Sequence, residues 1–324
     1  MKIEYDIFKG QHCETNATGN LLNQQDIQLS EAMIFGLGEG LSFIFLNLSS
    51  FNLPFVGGRT KPFHVTKKLC DNLGLLLLHK ETSSKKVAFN SLQKLLGEGK
   101  CVGLQLDSYY LDYFPVKIHF AGHFISVFGF DEEQFYVVDT PPKHKYQCSY
   151  KCLEKARFAK GPMAAKARYW TIENHLKKIE LEKIIPSAIK NNANEYLSPP
   201  FKGASYKGIE KLASSLPKWL SSAKKPKEDL ALFALMMENA GTGGSIFRNF
   251  YRDFLSESYD IVGDTKIKKA RDEFTGIASS WHEVAEIIEE TSKTLNEKLL
   301  KDASQLCKVL AEKEVETMKL LSSI

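Results

Sequence analysis

No CxxC pair occurs among the six cysteines, which stand at positions 13, 70, 101, 148, 152 and 307 without even spacing. That pattern excludes a disulfide framework and a redox motif, and points to reduced thiols in a cytoplasm-like compartment. Cys148 and Cys152 lie four apart with His144 nearby, one edge of a zinc site, but no second ligand pair accompanies them, and no metal is expected. Apolar runs are short: Leu41–Leu46 and Leu73–Leu78 are the size of core elements, far below the roughly 20 residues of a membrane span. The opening MKIEYDIFKG has no apolar signal segment. Dense basic blocks are absent too. Lysines come in scattered pairs, the formal net charge is +4, and nucleic-acid binding is not expected, whereas weak attraction to an acidic partner protein is. No internal repeat is visible.

What remains is a 324-residue globular composition with 25% charged residues, long enough for two domains. The first half mixes element types. Ser30-Glu31 opens a buried helix, Leu41–Leu46 reads as a strand, 52–59 as a loop with Gly57-Gly58 available for positive φ, and 64–73 as an amphipathic helix. A strand over 75–79, a helix over 91–96 and a buried strand over 101–106 follow. The clearest β signature is FISVFGF (124–130) and FYVV (135–138), joined by the four polar residues Asp131–Gln134 as in a hairpin, with Pro141-Pro142 ending the sheet. Beyond about residue 153 helices dominate, apart from a short strand over 169–172. Helices are expected over 176–190, 206–214, 229–238 and 245–257, then an apolar stripe (Val284, Ile288, Leu295, Leu299, Leu306, Leu310) on a long C-terminal helix able to meet a second copy. The fold class is α+β with a helical C-terminal half.

The chemistry gathers on three residues. Cys13, in QHCE, stands at a helix start, where free N–H groups and the dipole favour a thiolate. A nucleophilic cysteine needs a base and a group to orient that base. His123 precedes one hairpin strand and Asp139 ends the other, so the hairpin makes them neighbours across the strands, in the chain order Cys, His, Asp. Each has a plainer reading, a helical cysteine being most often a small buried hydrophobe. His12 can flank the thiolate, cap the helix or pack. Gln11 is a weak oxyanion donor so close to Cys13, and the Cys13 backbone N–H is the better one. Asp107, ending a strand ahead of the aromatic Tyr109-Tyr110, can bind a substrate amine or cap a turn. Arg248, following the glycine-rich 241–244, would make that loop an anion site, although the loop lacks the Lys-Ser/Thr of a P-loop and follows no strand.

HCETNATGNLL, LSEAMIFGLGEGLSFIF, GGR at 57–59, ETSS at 81–84, VGLQLDSYYLDYF at 102–114 and HFAGHFISVFGFD at 119–131 resemble the N-terminal domain of the BtrH family, acyltransferases of butirosin-type aminoglycoside biosynthesis. ENAGTGGSIFRNFYRDFL at 238–255 resembles the helical domain of unknown function that usually follows. The resemblance covers most of the chain. It implies a papain-like catalytic domain over 1–173, with an antiparallel sheet and an early nucleophile helix, and a helical domain over 174–324 acting as lid or acceptor-binding domain. It also implies transfer of an acyl group from an acyl-carrier-protein thioester to a small amine, with Cys13, His123 and Asp139 as nucleophile, base and orienter. From the residues themselves, Asp107, Tyr110, His12, Gln11 and Arg248 are the candidate substrate contacts. No cofactor is expected beyond the phosphopantetheine of the donor, and no membrane. Two rivals stand beside this: a peptidase or amidase with the same triad and water as acceptor, and a non-catalytic binding protein.

Overall fold

The computed structural model describes residues 1–47, 52–114 and 117–324. In chain order the elements are helices α1 (Cys13–Asn23) and α2 (Glu31–Leu37), strands β1 (Leu41–Leu46) and β2 (Phe55–Arg59), helix α3 (His64–Leu73), strand β3 (Leu76–Lys80), helix α4 (Lys85–Gly97) and strand β4 (Val102–Leu106). Strands β5 (His123–Phe130), β6 (Gln134–Val138) and β7 (Lys145–Ser149) follow, then helix α5 (Tyr150–Arg157) and strand β8 (Tyr169–Glu173). The remainder is helical: α6 (Leu181–Leu197), α7 (Ser205–Ser215), α8 (Trp219–Ser222), α9 (Pro226–Glu238), α10 (Arg248–Val262), α11 (Thr265–Thr294) and α12 (Glu297–Ser322). The fold class is α+β. Among the described residues no helix is long and apolar enough to cross a membrane.

Contacts divide the chain into two compact units, one of residues 1–34 and 62–179, the other of 35–61 and 180–324. A single cut at 173/174 therefore does not describe them. The chain changes unit at 179/180, and it also makes an earlier excursion over 35–61.

In the first unit six strands form one antiparallel sheet in the order β3-β8-β4-β5-β6-β7. Strands β4 and β5 are covered on both faces, which is why they read as unbroken apolar runs instead of alternating ones. Leu104, Leu106, Ile125 and Val127 share a core with Leu92 of α4 and Leu153 of α5. Helix α4 begins six residues before the expected start, because the Ser84 hydroxyl accepts from Val87 N and caps it. The sheet does not end at Pro141-Pro142: the chain turns back as β7, an edge strand with only Cys148 fully buried. One inward residue in five is too little for a pattern search to register. Burial pushes the Cys148 thiol far up, and it serves as core.

In the second unit β1 and β2 form an antiparallel ribbon where a loop was expected over 52–59. The Gly57-Gly58 pair is extended, without positive φ. Gly58 is there for close approach, since a Cβ would collide with the Ile246 carbonyl. Helix α6 starts five residues later than expected and runs to Leu197. The C-terminal stripe belongs to two helices, broken where Leu295 takes φ 55° and Asn296 caps α12. Beyond that turn Leu300 and Cys307 are buried where Leu299 and Leu306 were expected, Leu310 is buried as expected, and Leu295 is exposed.

Candidate active site

Helix α1 begins at Cys13 itself. His12 is its N-cap, with an extended backbone and an Nδ1 that accepts from Thr15 N at 3.5 Å, so capping is the role its ring takes. Among the described residues no protein acceptor meets the Cys13 N–H, as befits the first turn of a helix. The residues on either side of the cysteine are anchored by buried carboxylates. Glu31 accepts from Gln11 N and His12 N at 2.9 Å each, and from the Thr15 hydroxyl at 2.6 Å. Glu14, fully buried, accepts from Phe63 N and Thr66 N at 3.1 Å each and so caps α3 from a distance. Asn16 and Asn20 fasten the preceding extended segment through Gly10 N and Phe8 N. Cys13 thus sits on a turn whose neighbours have little freedom. Burial raises the Glu31 carboxyl, against the lowering pull of its three donors and of His144.

The base comes from the sheet. Extending the Ser126↔Val138 register by one sets Asp139 opposite Ile125, two residues from His123 and on the same side by alternation. The His123 Nε2 lies 2.9 Å from Asp139 Oδ2. Cys13 acts electrostatically on the same ring, and with Nε2 committed to Asp139 the other ring nitrogen is Nδ1. Asp139 is held from all sides: Oδ2 also accepts from the Tyr113 hydroxyl at 2.8 Å, and Oδ1 accepts from Thr140 N at 2.7 Å. Exposure falls from 9% at Cys13 through 4% at His123 to 0% at Asp139. Burial alone would favour a neutral ring. Asp139 and the cysteine outweigh it and push His123 from 6.5 up to about 10, which favours the protonated ring.

The other candidates are placed differently. Gln11 is exposed, and its backbone, not its side chain, is bound, to Glu31. Asp107 is buried and saturated: Oδ1 accepts from Tyr109 N at 3.0 Å and Phe120 N at 2.9 Å, and Oδ2 meets His119 Nδ1 at 2.8 Å. Of the two roles considered for it, turn capping is the one its bonds describe. The His119 ring stacks on Tyr109 at 3.9 Å and meets Tyr110 edge-on, leaving Tyr110 half-buried beside an exposed histidine. Arg248 belongs to the second unit and is not an open anion receptor. Its guanidinium is fully buried on Glu314 and three carbonyls. The neighbouring glycine loop holds an acid already, Ser245 N donating to Glu238 at 3.0 Å. Its positive-φ Gly243 packs against Phe250, which fits a tight turn. Glu14, Glu31 and Tyr113 carry no sequence signal of their own, because their partners lie 16 to 52 residues away in contacts that no local pattern encodes.

Compared with known families, residues 12–140 match Butirosin biosynthesis protein H, N-terminal, and residues 151–321 match a domain of unknown function, DUF4872. The chain belongs to the family that shares DUF4872, whose model covers more than half of it, and its N-terminal part matches the BtrH N-terminal domain. The first BtrH match takes in Cys13, His123 and Asp139 together, and the second takes in Arg248 and Glu314. No curated protein gives a significant match.

Proposed function

We propose that this chain is a cysteine-dependent acyltransferase, moving an acyl group from a carrier-protein or other thioester to an amine through an acyl-enzyme on Cys13. The supporting observation is the buried His123 ring bonded to Asp139 and raised electrostatically by Cys13, at the start of helix α1. In this reading the thiolate attacks the thioester carbonyl, and the Cys13 N–H donates to the oxyanion. Collapse expels the donor thiolate, which takes the His123 proton and leaves as a thiol. The now neutral imidazole accepts a proton from the incoming amine as it attacks the acyl-enzyme. The second collapse releases an amide and returns the thiolate–imidazolium pair, so the protons balance. Exchange between thioesters is nearly even and amide formation is downhill, which drives the cycle. Low exposure of all three groups favours an amine over water as the acceptor. The N-terminal family's name links it to butirosin biosynthesis, in keeping with an amine acceptor; the same triad with water would make a peptidase or amidase.

Incubation with an acyl-pantetheine thioester tests the chemistry. The intact protein should gain the acyl mass, mapped to Cys13, and lose it on adding an amine with formation of the amide. Acylation followed only by release of free acid would replace transfer with hydrolysis, and absence of any adduct would leave a binding protein.

A further inference from the structure

A second charged group lies buried in the first unit with no part in the triad. Arg157, in the last turn of α5, is 4% exposed. Its Nη1 donates to the Ala88 carbonyl at 3.0 Å and its Nη2 to the Ala167 carbonyl at 3.3 Å, while Nε has no acceptor. Among the described residues no carboxylate pairs with it, and burial lowers it only to about 10, so it stays charged at neutral pH. Two neutral carbonyls orient a guanidinium but do not compensate its charge. Arg248 supplies the contrast within the same chain: its buried fork meets the Glu314 carboxylate at 2.8 and 2.7 Å.

Arg157 lines a cavity of about 280 Å³ walled by Phe89 of α4, Phe135 of β6, and Tyr150 and Leu153 of α5. The rim adds Lys85 and Lys151 against a single acid, Glu154, which pairs with Lys85 at 2.6 Å. Three cations against one carboxylate leave the cleft short of negative charge, and its walls are aromatic. The volume lies just under the roughly 300–1,000 Å³ of pockets for drug-sized molecules.

We propose that this cleft is a binding site for a small monocarboxylate with an aromatic or branched apolar body, its carboxylate neutralising Arg157 and its body lying against Phe89, Phe135 and Tyr150. Such a ligand supplies the missing counter-charge through a charge-assisted bond and covers aromatic surface in one step. Bulky dianions fit less well, because the walls offer few polar groups beyond the arginine. None of the lining residues is shared with the triad, so the site stands whether or not Cys13 is acylated.

The test uses the full chain with phenylacetate as probe and phenylacetamide, its neutral counterpart, as control, followed by calorimetry and by the Arg157 Nε–H resonance. Saturable phenylacetate binding that shifts that resonance, with the amide weaker by about tenfold or more, is the expected result. Arg157→Gln, which keeps a donor for the Ala88 carbonyl, should lose the preference for the acid, and Lys151→Glu should weaken phenylacetate about twofold to threefold through the local field. Equal binding of acid and amide would overturn the proposal, as would binding of inorganic phosphate alone or no binding of phenylacetate at tens of millimolar. The comparison of acid with amide on the unaltered chain stands even if the Arg157 variant fails to fold.

Discussion

Each unit buries a carboxylate held by several donors, Asp139 in the first and Glu314 in the second, and the two clusters are finished differently. In the second unit Glu314 receives Nε and Nη2 of Arg248, the Trp281 indole N–H at 2.7 Å and the Tyr196 hydroxyl, with arginine and glutamate both fully buried. Every lone pair faces a donor and the groups are locked. In the first unit Asp139 is as fully buried and as well bonded, but the series continues through His123 to a sulfur that retains 9% exposure. One cluster closes on itself and the other is open at one end. Closure suits a structural joint among helices. An end left accessible to a substrate suits reactivity, since a nucleophile bonded on every side could attack nothing.

Breaking each cluster should therefore register in different measurements. Cys13→Ala should abolish the acyl adduct seen by mass spectrometry and lower amide formation on the order of a million-fold, while leaving thermal unfolding nearly unchanged. Residual turnover near the wild-type level would remove the triad from the mechanism. Asp139→Asn should slow acylation by about ten-thousandfold and move the alkaline limb of its pH profile from about 10 down towards 6.5, because the charge that holds the proton on His123 is gone. The same raised value makes the His123 contribution to stability complete below pH 6.5 and lost as pH climbs through about 10, which denaturant titrations at pH 7 and 10.5 would show. In the closed cluster Arg248→Met should cost about 3–5 kcal/mol in chemical unfolding by stranding Glu314, and adding Glu314→Leu should restore much of it. A loss below 1 kcal/mol would mean that the pair is not the joint described. The smallest effect belongs to Tyr113→Phe: removing one of two donors to Asp139 Oδ2 should lower kcat/KM by about 1 kcal/mol, roughly fivefold, with the alkaline limb rising slightly.

How much of this was legible depended on sequence distance. The β5–β6 hairpin and the meeting of His123 with Asp139 follow from a short polar turn between two β-rich runs, all within 17 residues. The α+β class and helix α3 were equally plain from periodicity. Strand β2 was hidden because its Gly57-Gly58 pair reads as turn chemistry, and the reason for glycine is Ile246, nearly 190 residues later. Strand β7 was hidden by its polar edge. The carboxylates that steady Cys13 could not be read at all: Glu31 looks like the opening of its own helix, and only the folded chain turns it onto the Gln11-His12 turn. Arg157 looked like one more basic residue in the helix KCLEKAR, since its isolation from any acid is a property of packing alone.

The early excursion of residues 35–61 has a consequence for how the protein is made. A ribosome that has produced residues 1–179 has supplied all of the first unit, yet the Leu41, Phe43 and Phe45 side chains of β1 then still lack the helices that belong to their unit. Until residues 180–324 follow, the apolar side chains of that ribbon go without those helices. A stalled chain ending at 179 should accordingly be cut first within 35–61 by a protease, and chaperones that favour apolar stretches should meet the nascent protein there.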